Sequence, residues 1–229
     1  MPNSNIDAEP ETARVFHDRR EAGRLLAPLL RHYAGRGDVI VLALPRGGVP
    51  VAYEVAMALG VPLDVFTVRK LGVPGREELA MGAIGSGGAY VLNYEVVEAL
   101  HISHSEVVRV VERERRELER RERLYRDNRP YPQLQNKTVI LIDDGLATGA
   151  SMLVAVNALR RKHPAKIVVA VPVAPRETCD MLRGHADEAF CYETPEPFAG
   201  VGAWYEDFSQ VTDDEVRTLL NAASLRRAS

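Results

Sequence analysis

The sequence has little cysteine and no long apolar segment. Only Cys179 and Cys191 are present among 229 residues, and their spacing matches no metal-binding or redox motif. No apolar run reaches the roughly 18 residues that a membrane helix needs, and no segment resembles a signal peptide. We therefore expect a cytoplasmic protein with no membrane partner, whose two cysteines are reduced residues of the core.

Several catalytic and binding motifs are also missing. There is no Gly-Lys-Ser/Thr phosphate loop, no Gly-x-Ser-x-Gly turn and no zinc spacing among the six histidines. The net charge of −3 argues against a dedicated nucleic-acid-binding protein. The sequence therefore contains none of these three kinds of catalytic or binding site.

Length and apolar content fit one α/β domain. With 46% hydrophobic residues, the chain can bury a full core. We expect this domain over 13–220, with disordered ends at 1–12 and 221–229. Three apolar runs with intervening helices predict strands of a parallel sheet. These runs lie at about 138–142, 166–172 and 187–192.

The segment 139–151 carries the clearest chemistry. Its first four residues are apolar and predict a buried strand, and a helical pattern begins at 152. Between them lie Asp143, Asp144 and a turn formed by Ala147, Thr148, Gly149, Ala150 and Ser151. Free amides and hydroxyls in the turn suit a phosphate, whereas the carboxylates suit a diol or the water shell of a metal. The pattern predicts a ligand that carries both a phosphate and a diol.

This segment resembles the motif of the type I phosphoribosyltransferases, in which two acids precede a small-Thr-Gly-x-Ser/Thr turn. The resemblance implies an α/β fold, a parallel sheet flanked by helices, with a flexible loop and a hood, here mainly 193–210. It also implies binding of phosphoribosyl pyrophosphate (PRPP). Asp143 and Asp144 would hold the ribose hydroxyls, and residues 147–151 would hold the 5′-phosphate. Gly145 departs from the family, which usually has an aliphatic residue there.

A second loop follows the apolar run 39–44. It reads Pro45-Arg46-Gly47-Gly48, in which the arginine supplies a fixed cation, and the glycines allow unusual backbone conformations and expose amides. In the family, the loop after the first core strand binds pyrophosphate. The resemblance therefore assigns Arg46, Gly47 and Gly48 to the pyrophosphate of PRPP. Over nearly its full length, the chain is similar to an uncharacterised group of bacterial predicted phosphoribosyltransferases.

A third loop begins with two cations. Arg69 and Lys70 follow a predicted strand over 62–68 and precede a glycine-rich stretch over 71–82. Orotate and adenine phosphoribosyltransferases have a similar pair before a mobile loop that closes over PRPP. The resemblance therefore implies that Arg69 and Lys70 act with the acid pair in catalysis. The alternative is that both are solvated surface charges.

Aromatic residues are few, 6% of the chain, but four of them lie within 198–208. Small residues separate Phe198 from Trp204 and Tyr205, a composition suited to stacking on a flat heterocycle. We predict that these three residues bind the base. The alternative is that they pack, with Phe208, inside a hood or a dimer contact.

A long charged helix is predicted over 103–127. Ser103 and Glu106 form a capping box at its start, and mixed Arg and Glu residues over 112–123 indicate a solvated helix held by side-chain pairs. The alternative is a homodimer contact along a thin apolar seam. The seam consists of Val107, Val111, Leu118 and Tyr125.

Two functions follow from these features. The first is an enzyme of nucleotide salvage that transfers a phosphoribosyl group from PRPP to a nucleobase and releases pyrophosphate. Mg²⁺ would be carried by PRPP rather than held by direct protein ligands, and catalysis would rest on positioning and electrostatics. The second is a protein that senses PRPP or a nucleotide without turnover. Either would be a cytoplasmic homodimer with no nucleic-acid partner.

Overall fold

The computed structural model describes residues 14–88, 90–126 and 130–228. In these ranges the strands are β1 Val39–Ala43, β2 Leu63–Val65, β3 Val68–Val73, β4 Arg76–Gly85, β5 Tyr90–Leu92, β6 Thr138–Ile142, β7 Lys166–Val173 and β8 Glu188–Glu193. The α-helices are α1 Arg19–Leu26, α2 Gly48–Leu59, α3 Tyr94–Ala99, α4 His104–Arg126, α5 Ala150–Arg160, α6 Arg176–Arg183 and α7 Asp213–Ala228.

The central sheet is parallel, with strand order β2-β1-β6-β7-β8. Every residue of β1 and β6 is buried, because alternate side chains enter two different cores. Val41 and Ile140 pack with α2 and α7 on one face, and Leu42 and Leu141 pack with α5 on the other. The expected parallel sheet flanked by helices is confirmed.

A second, antiparallel sheet has strand order β3-β4-β5 and packs against α4. Leu71 and Met81 of this sheet form a small core with Val107 and Leu118 of α4. Tyr125, at the far end of the helix, enters the main core. The seam that could have formed a dimer contact is therefore largely used within the chain.

Several predicted boundaries are corrected by the structure. The predicted strand over 62–68 is wrong because β2 ends at Val65, and Val68 begins β3 in the other sheet. After α1 the chain continues as a 3₁₀ segment over Ala27–Tyr33, which contains Pro28. Residues 221–228 belong to α7, so the predicted disordered tail is wrong there. The predicted disordered residues 1–12 lie outside the described part of the chain.

Other predictions are confirmed. The strands at about 138–142, 166–172 and 187–192 correspond to β6, β7 and β8. In the capping box, Ser103 N–H donates to Glu106 Oε2 at 2.9 Å, and Glu106 N–H donates to Ser103 Oγ at 3.3 Å.

The prediction of two reduced thiols is wrong, since Cys179 and Cys191 form a disulfide bond. Among the described residues, no helix is both long and apolar enough to cross a membrane.

Candidate functional site

The loops after β1 and β6 meet at the carboxyl edge of the central sheet, where they are joined by a hydrogen bond from Leu44 N–H to the Ile142 carbonyl at 2.8 Å. A methyl group added at Gly47 would lie 2.0 Å from Asp144 Oδ2, and one at Gly48 would lie 2.9 Å from Asp143 Cα. Gly47 has ordinary helical dihedral angles, with φ −58°. The expected need for a glycine-only conformation is therefore wrong there, and close packing excludes a side chain instead.

Asp144 is held by two residues from distant parts of the chain. Arg19 Nε donates to Asp144 Oδ2 at 2.8 Å, and Tyr205 Oη donates to the Asp144 carbonyl at 2.5 Å. Arg19 Nη1 also donates to the Ser209 carbonyl at 2.8 Å, and its guanidinium lies 4.0 Å from the Phe208 ring centre. The two charged side chains are only 10% and 15% exposed. This shielded ion pair fixes the orientation of the Asp144 carboxylate.

Asp143 differs from its neighbour. Its Oδ1 accepts a hydrogen bond from the Asp144 N–H at 2.9 Å. Burial, reinforced by the charge of Asp144, raises the pKa of Asp143 well above its ordinary value. The two adjacent acids therefore have different environments: Asp144 is paired with a guanidinium, and burial raises the pKa of Asp143.

The turn after β6 leads directly into α5. Gly149 has φ +72°, and a methyl group there would lie 2.8 Å from Thr178 Cγ2. Thr178 Oγ1 holds the turn by donating to the Ala147 carbonyl at 2.8 Å. Gly149 is the N-cap and offers no side-chain oxygen to the first helical amides, while Thr148 and Ser151 are exposed beside them. These groups can bind an anion such as a phosphate.

Gly145, the departure from the family motif, has a tertiary explanation. A methyl group at this position would lie 2.5 Å from Val201 Cγ1 and 3.0 Å from Val173 Cγ1. Val201 comes from the 3₁₀ segment Val201–Trp204 and fills the space that an aliphatic residue at 145 would need. The side chain that is missing at Gly145 is therefore replaced in volume by Val201.

A cavity of about 420 Å³ opens between these loops and α4. Arg46, Asp143 and Ser151 line it at the carboxyl edge of the central sheet, and Phe66 and Thr67 line it from the connection between the two sheets. The remaining wall comes from α4 and the start of α7, and includes Arg120, Arg121, Leu124, Tyr125 and Asp213. The cavity therefore joins parts of the β1 loop, the acid pair and the turn before α5.

Arg69 and Lys70 do not line this cavity. Both belong to β3, where Arg69 Nε donates to Glu114 Oε2 at 2.6 Å and Lys70 Nζ donates to the Glu78 carbonyl at 2.8 Å. Glu114 is buried, so its pairing with Arg69 links the small sheet to α4. A catalytic role for the two cations stays a prediction, and it would require them to leave these partners.

The predicted base-binding aromatics also lie apart from the cavity. Tyr205 is buried and packs 5.4 Å from Phe16 between ring centres, and its burial raises its pKa. Phe198 and Trp204 pack against the same small cluster. This arrangement matches the intramolecular packing that the sequence left open as the alternative, and a base-binding role for the three residues stays a prediction.

Sequence reasoning missed three arginines. Arg19 follows the helix-capping Asp18, and no local pattern connects it with Asp144, which lies 125 residues away. Arg120 and Arg121 lie inside a run of charges that predicts a solvated surface. The one signal in the sequence is their position next to the apolar seam of α4, because the seam marks the face of the helix that packs against the rest of the chain.

The described residues include no set of ligands for a resident metal ion. No group of three or more His, Cys, Asp or Glu side chains capable of holding a metal ion occurs within 14–88, 90–126 and 130–228. Asp144 is already paired with Arg19.

Comparison with known proteins gives consistent results. The family model described as "Phosphoribosyl transferase domain" matches residues 16–206, which include every site residue predicted from the sequence. "Putative phosphoribosyl transferase Rv0571c" of Mycobacterium tuberculosis H37Rv is 44% identical over 210 residues, 92% of this chain and 47% of that protein. "Putative phosphoribosyl transferase MT0597" of M. tuberculosis CDC 1551 gives the same values. The chain spans about half the length of these relatives.

A solved structure is similar over almost the whole chain. The crystal structure of TT1426 from Thermus thermophilus shares 45% sequence identity, with a TM-score of 0.79. The match covers 90% of this chain and 97% of that chain. The two proteins therefore have the same fold.

Proposed function

Because the chain belongs to the phosphoribosyl transferase domain family, we propose that it is an enzyme that uses Mg²⁺ and PRPP to convert a nucleobase into a nucleotide, releasing pyrophosphate. The observation that carries this proposal is the convergence of Arg46, Asp143 and Ser151 on one cavity, with Asp144 next to Asp143 in the chain. A phosphate-binding turn, a diol acceptor and a cationic loop at one sheet edge match the three parts of PRPP. The family identity confirms the resemblance noted in the sequence.

The roles of the individual groups follow from their chemistry. The amides and hydroxyls of residues 147–151 would bind the 5′-phosphate at the start of α5. Asp144, fixed by Arg19, would accept hydrogen bonds from a ribose hydroxyl. Asp143 would either accept from the second hydroxyl or, when protonated, donate to it. Arg46 and the amide of Gly47 would contact the pyrophosphate. The Gly48 N–H donates to the Leu44 carbonyl at 3.1 Å, so its assignment to the pyrophosphate would require that bond to be exchanged.

The reaction is a displacement at the anomeric carbon of the ribose. The bond from this carbon to the pyrophosphate oxygen breaks, with its electron pair leaving on pyrophosphate, and a bond to a base nitrogen forms. The proton of that nitrogen passes to solvent. Positive charge develops on the ribose ring beside Asp143 and Asp144, and negative charge develops on the leaving group beside arginine. Mg²⁺ would be carried into the site by PRPP as part of the Mg²⁺–PRPP substrate.

A second candidate is a protein that binds PRPP or a nucleotide without turnover. It is favoured by the pairing of Arg69 with buried Glu114, which keeps a predicted catalytic cation away from the cavity. In this case the loops around the cavity would bind the ligand without catalysing its conversion. The cytoplasmic location and the homodimer stay predictions in both cases.

Phosphorus NMR tests the two candidates together. PRPP with Mg²⁺ is followed in the presence of the protein and a pool of purine and pyrimidine bases. We expect base-dependent release of pyrophosphate, lost in Asp144→Asn and retained in the control Asp214→Asn, whose side chain is 90% exposed. Shifted PRPP signals without turnover would favour the sensor. Unchanged PRPP signals with a folded protein would refute both candidates.

A further inference from the structure

The cations facing the cavity come from α4 and the β1 loop rather than from β3. Arg120 and Arg121 line the cavity together with Arg46, whereas Arg69 and Lys70 do not. Ser151 lines it at the carboxyl edge of the central sheet. A ligand that fills the cavity would therefore contact both Ser151 and these three arginines.

We propose that Arg120 and Arg121 bind the pyrophosphate end of the ligand, together with Arg46; the identification of that ligand as PRPP rests on the function proposed above. The two α4 residues would supply the positive charge that the sequence assigned to the pair on β3. Guanidinium groups suit this task because they remain charged and donate paired hydrogen bonds to phosphate oxygens.

The guanidinium groups of Arg120 and Arg121 are hydrogen-bonded to one carboxylate, that of Glu117. Glu117 accepts hydrogen bonds from Arg120 Nε at 2.8 Å, Arg120 Nη2 at 2.9 Å and Arg121 Nε at 3.0 Å. These bonds lower the pKa of Glu117 to about 2. A carboxylate held in this way takes the bonds that phosphate oxygens would receive. Glu117 is therefore a competitor that a more highly charged anion can displace.

The existing ion pairs are exposed enough to be exchanged. The side chains of Arg120 and Arg121 are 60% and 47% exposed, and pairs between such exposed groups add little stability. Arg46 is also loosely held, with Nη1 3.8 Å from Asp213 Oδ1. All three arginines can thus turn to a ligand at small cost to the fold.

Two acids in the cavity restrict the form of the ligand. Asp143 and Asp213 both line it, and Tyr125 Oη donates to Asp213 Oδ1 at 2.9 Å. Burial and this bond raise the pKa of Tyr125 to about 12, so the tyrosine remains a donor. Free pyrophosphate would meet the charge of Asp213 directly, whereas Mg²⁺–pyrophosphate carries a cation that offsets it.

Calorimetric titration of the whole chain with Mg²⁺–pyrophosphate at fixed salt tests the inference. In Arg120→Gln/Arg121→Gln we expect binding weaker by roughly a hundredfold, about tenfold for each charge-assisted contact. The matched control is Arg115→Gln/Arg123→Gln, because these two arginines lie 3.9 and 3.8 Å from a shared Glu119 on the same helix. The control should change binding by less than about threefold, because surface charges away from the cavity are screened by salt.

The variant Glu117→Gln tests the same inference, but here the expected change in pyrophosphate affinity is an increase. Removing the competing charge should tighten Mg²⁺–pyrophosphate binding by about threefold to tenfold, a result that a merely structural role of Glu117 would not produce. Ribose 5-phosphate serves as a second probe, because it lacks the pyrophosphate. Its affinity should be nearly equal in the wild-type protein and in Arg120→Gln/Arg121→Gln.

The possible outcomes separate this inference from the proposed function. Unchanged pyrophosphate binding in Arg120→Gln/Arg121→Gln, equal losses in the two double variants, or no binding by the wild-type protein would each overturn the role of α4. Base-dependent turnover could still occur in the first two cases. If pyrophosphate binding depends on α4 but no base is converted, the inference stands and the enzyme proposal fails.

Discussion

Replacing Arg19 with methionine should destabilise the fold through Asp144. The substitution keeps an unbranched side chain but removes the guanidinium that pairs with Asp144, donates to the Ser209 carbonyl and stacks on Phe208. Because the two charged side chains are only 10% and 15% exposed, Asp144 would be left largely buried without its partner. Breaking a buried pair in this way costs about 3–5 kcal/mol.

The assay is urea unfolding at neutral pH. We expect the free energy of unfolding to fall by about 3 kcal/mol at an unchanged m-value, and the melting temperature to fall by roughly 6–12 °C for a chain of this size. Arg20→Met is the matched control. Arg20 is the next residue on α1, its side chain is 46% exposed, and its pair with Glu54 at 3.1 Å should contribute about 1 kcal/mol or less.

A double-mutant cycle separates the ion pair from the other contacts of Arg19. In the Asp144→Asn background, Arg19→Met should cost only about 1–2 kcal/mol, from the Ser209 hydrogen bond and the stacking on Phe208. The coupling energy between the two sites should therefore exceed about 1 kcal/mol. Additive effects, within about 0.5 kcal/mol, would refute the reasoning, because they would show that the guanidinium does not act on the Asp144 charge.

Three further predictions concern the loops around the acid pair. Gly47→Ala should lower PRPP affinity and cost about 1–3 kcal/mol of stability, because its methyl group would lie 2.0 Å from Asp144 Oδ2; titration and urea unfolding measure the two effects. Gly145→Val should destabilise by a similar amount, about 1–3 kcal/mol, and Val201→Ala should restore part of the loss, so equal melting temperatures for the single and double variants would contradict the packing argument. Because the folded-state pKa of Asp143 is raised, the native protein binds more protons than the unfolded chain above the ordinary value of 3.8. Stability should thus fall as pH rises from there through the folded-state pKa, and a series of unfolding curves for Asp143→Asn should lack that part of the slope.

The acid pair and the two loops were predictable because their functions depend on local sequence. Asp143 and Asp144 must follow a buried strand directly, and a phosphate-binding turn must lie at the start of a helix. The close packing at Gly47 and Gly48 follows from the same arrangement of strand ends. A short segment of sequence contains all of these requirements, so the segment is informative by itself.

The third loop was less predictable because one apolar run passes through two sheets. Residues 61–68 are apolar apart from Asp64 and Thr67, and no glycine marks the change from β2 to β3. The long charged helix posed a similar difficulty. Its arginines look equivalent in sequence, and only the packing of Val107, Leu118 and Tyr125 turns Arg120 and Arg121 toward the cavity.

The sequence by itself determined the fold class, the family and the residues of the acid pair and its turn, because hydrophobic periodicity and local turn chemistry act over a few residues. The tertiary structure decided which side chains from distant segments complete the site. Arg19 reaches Asp144, Val201 fills the space beside Gly145, and α4 provides a wall of the cavity. These contacts depend on how the helices pack on the sheet, and packing leaves no regular period in the sequence.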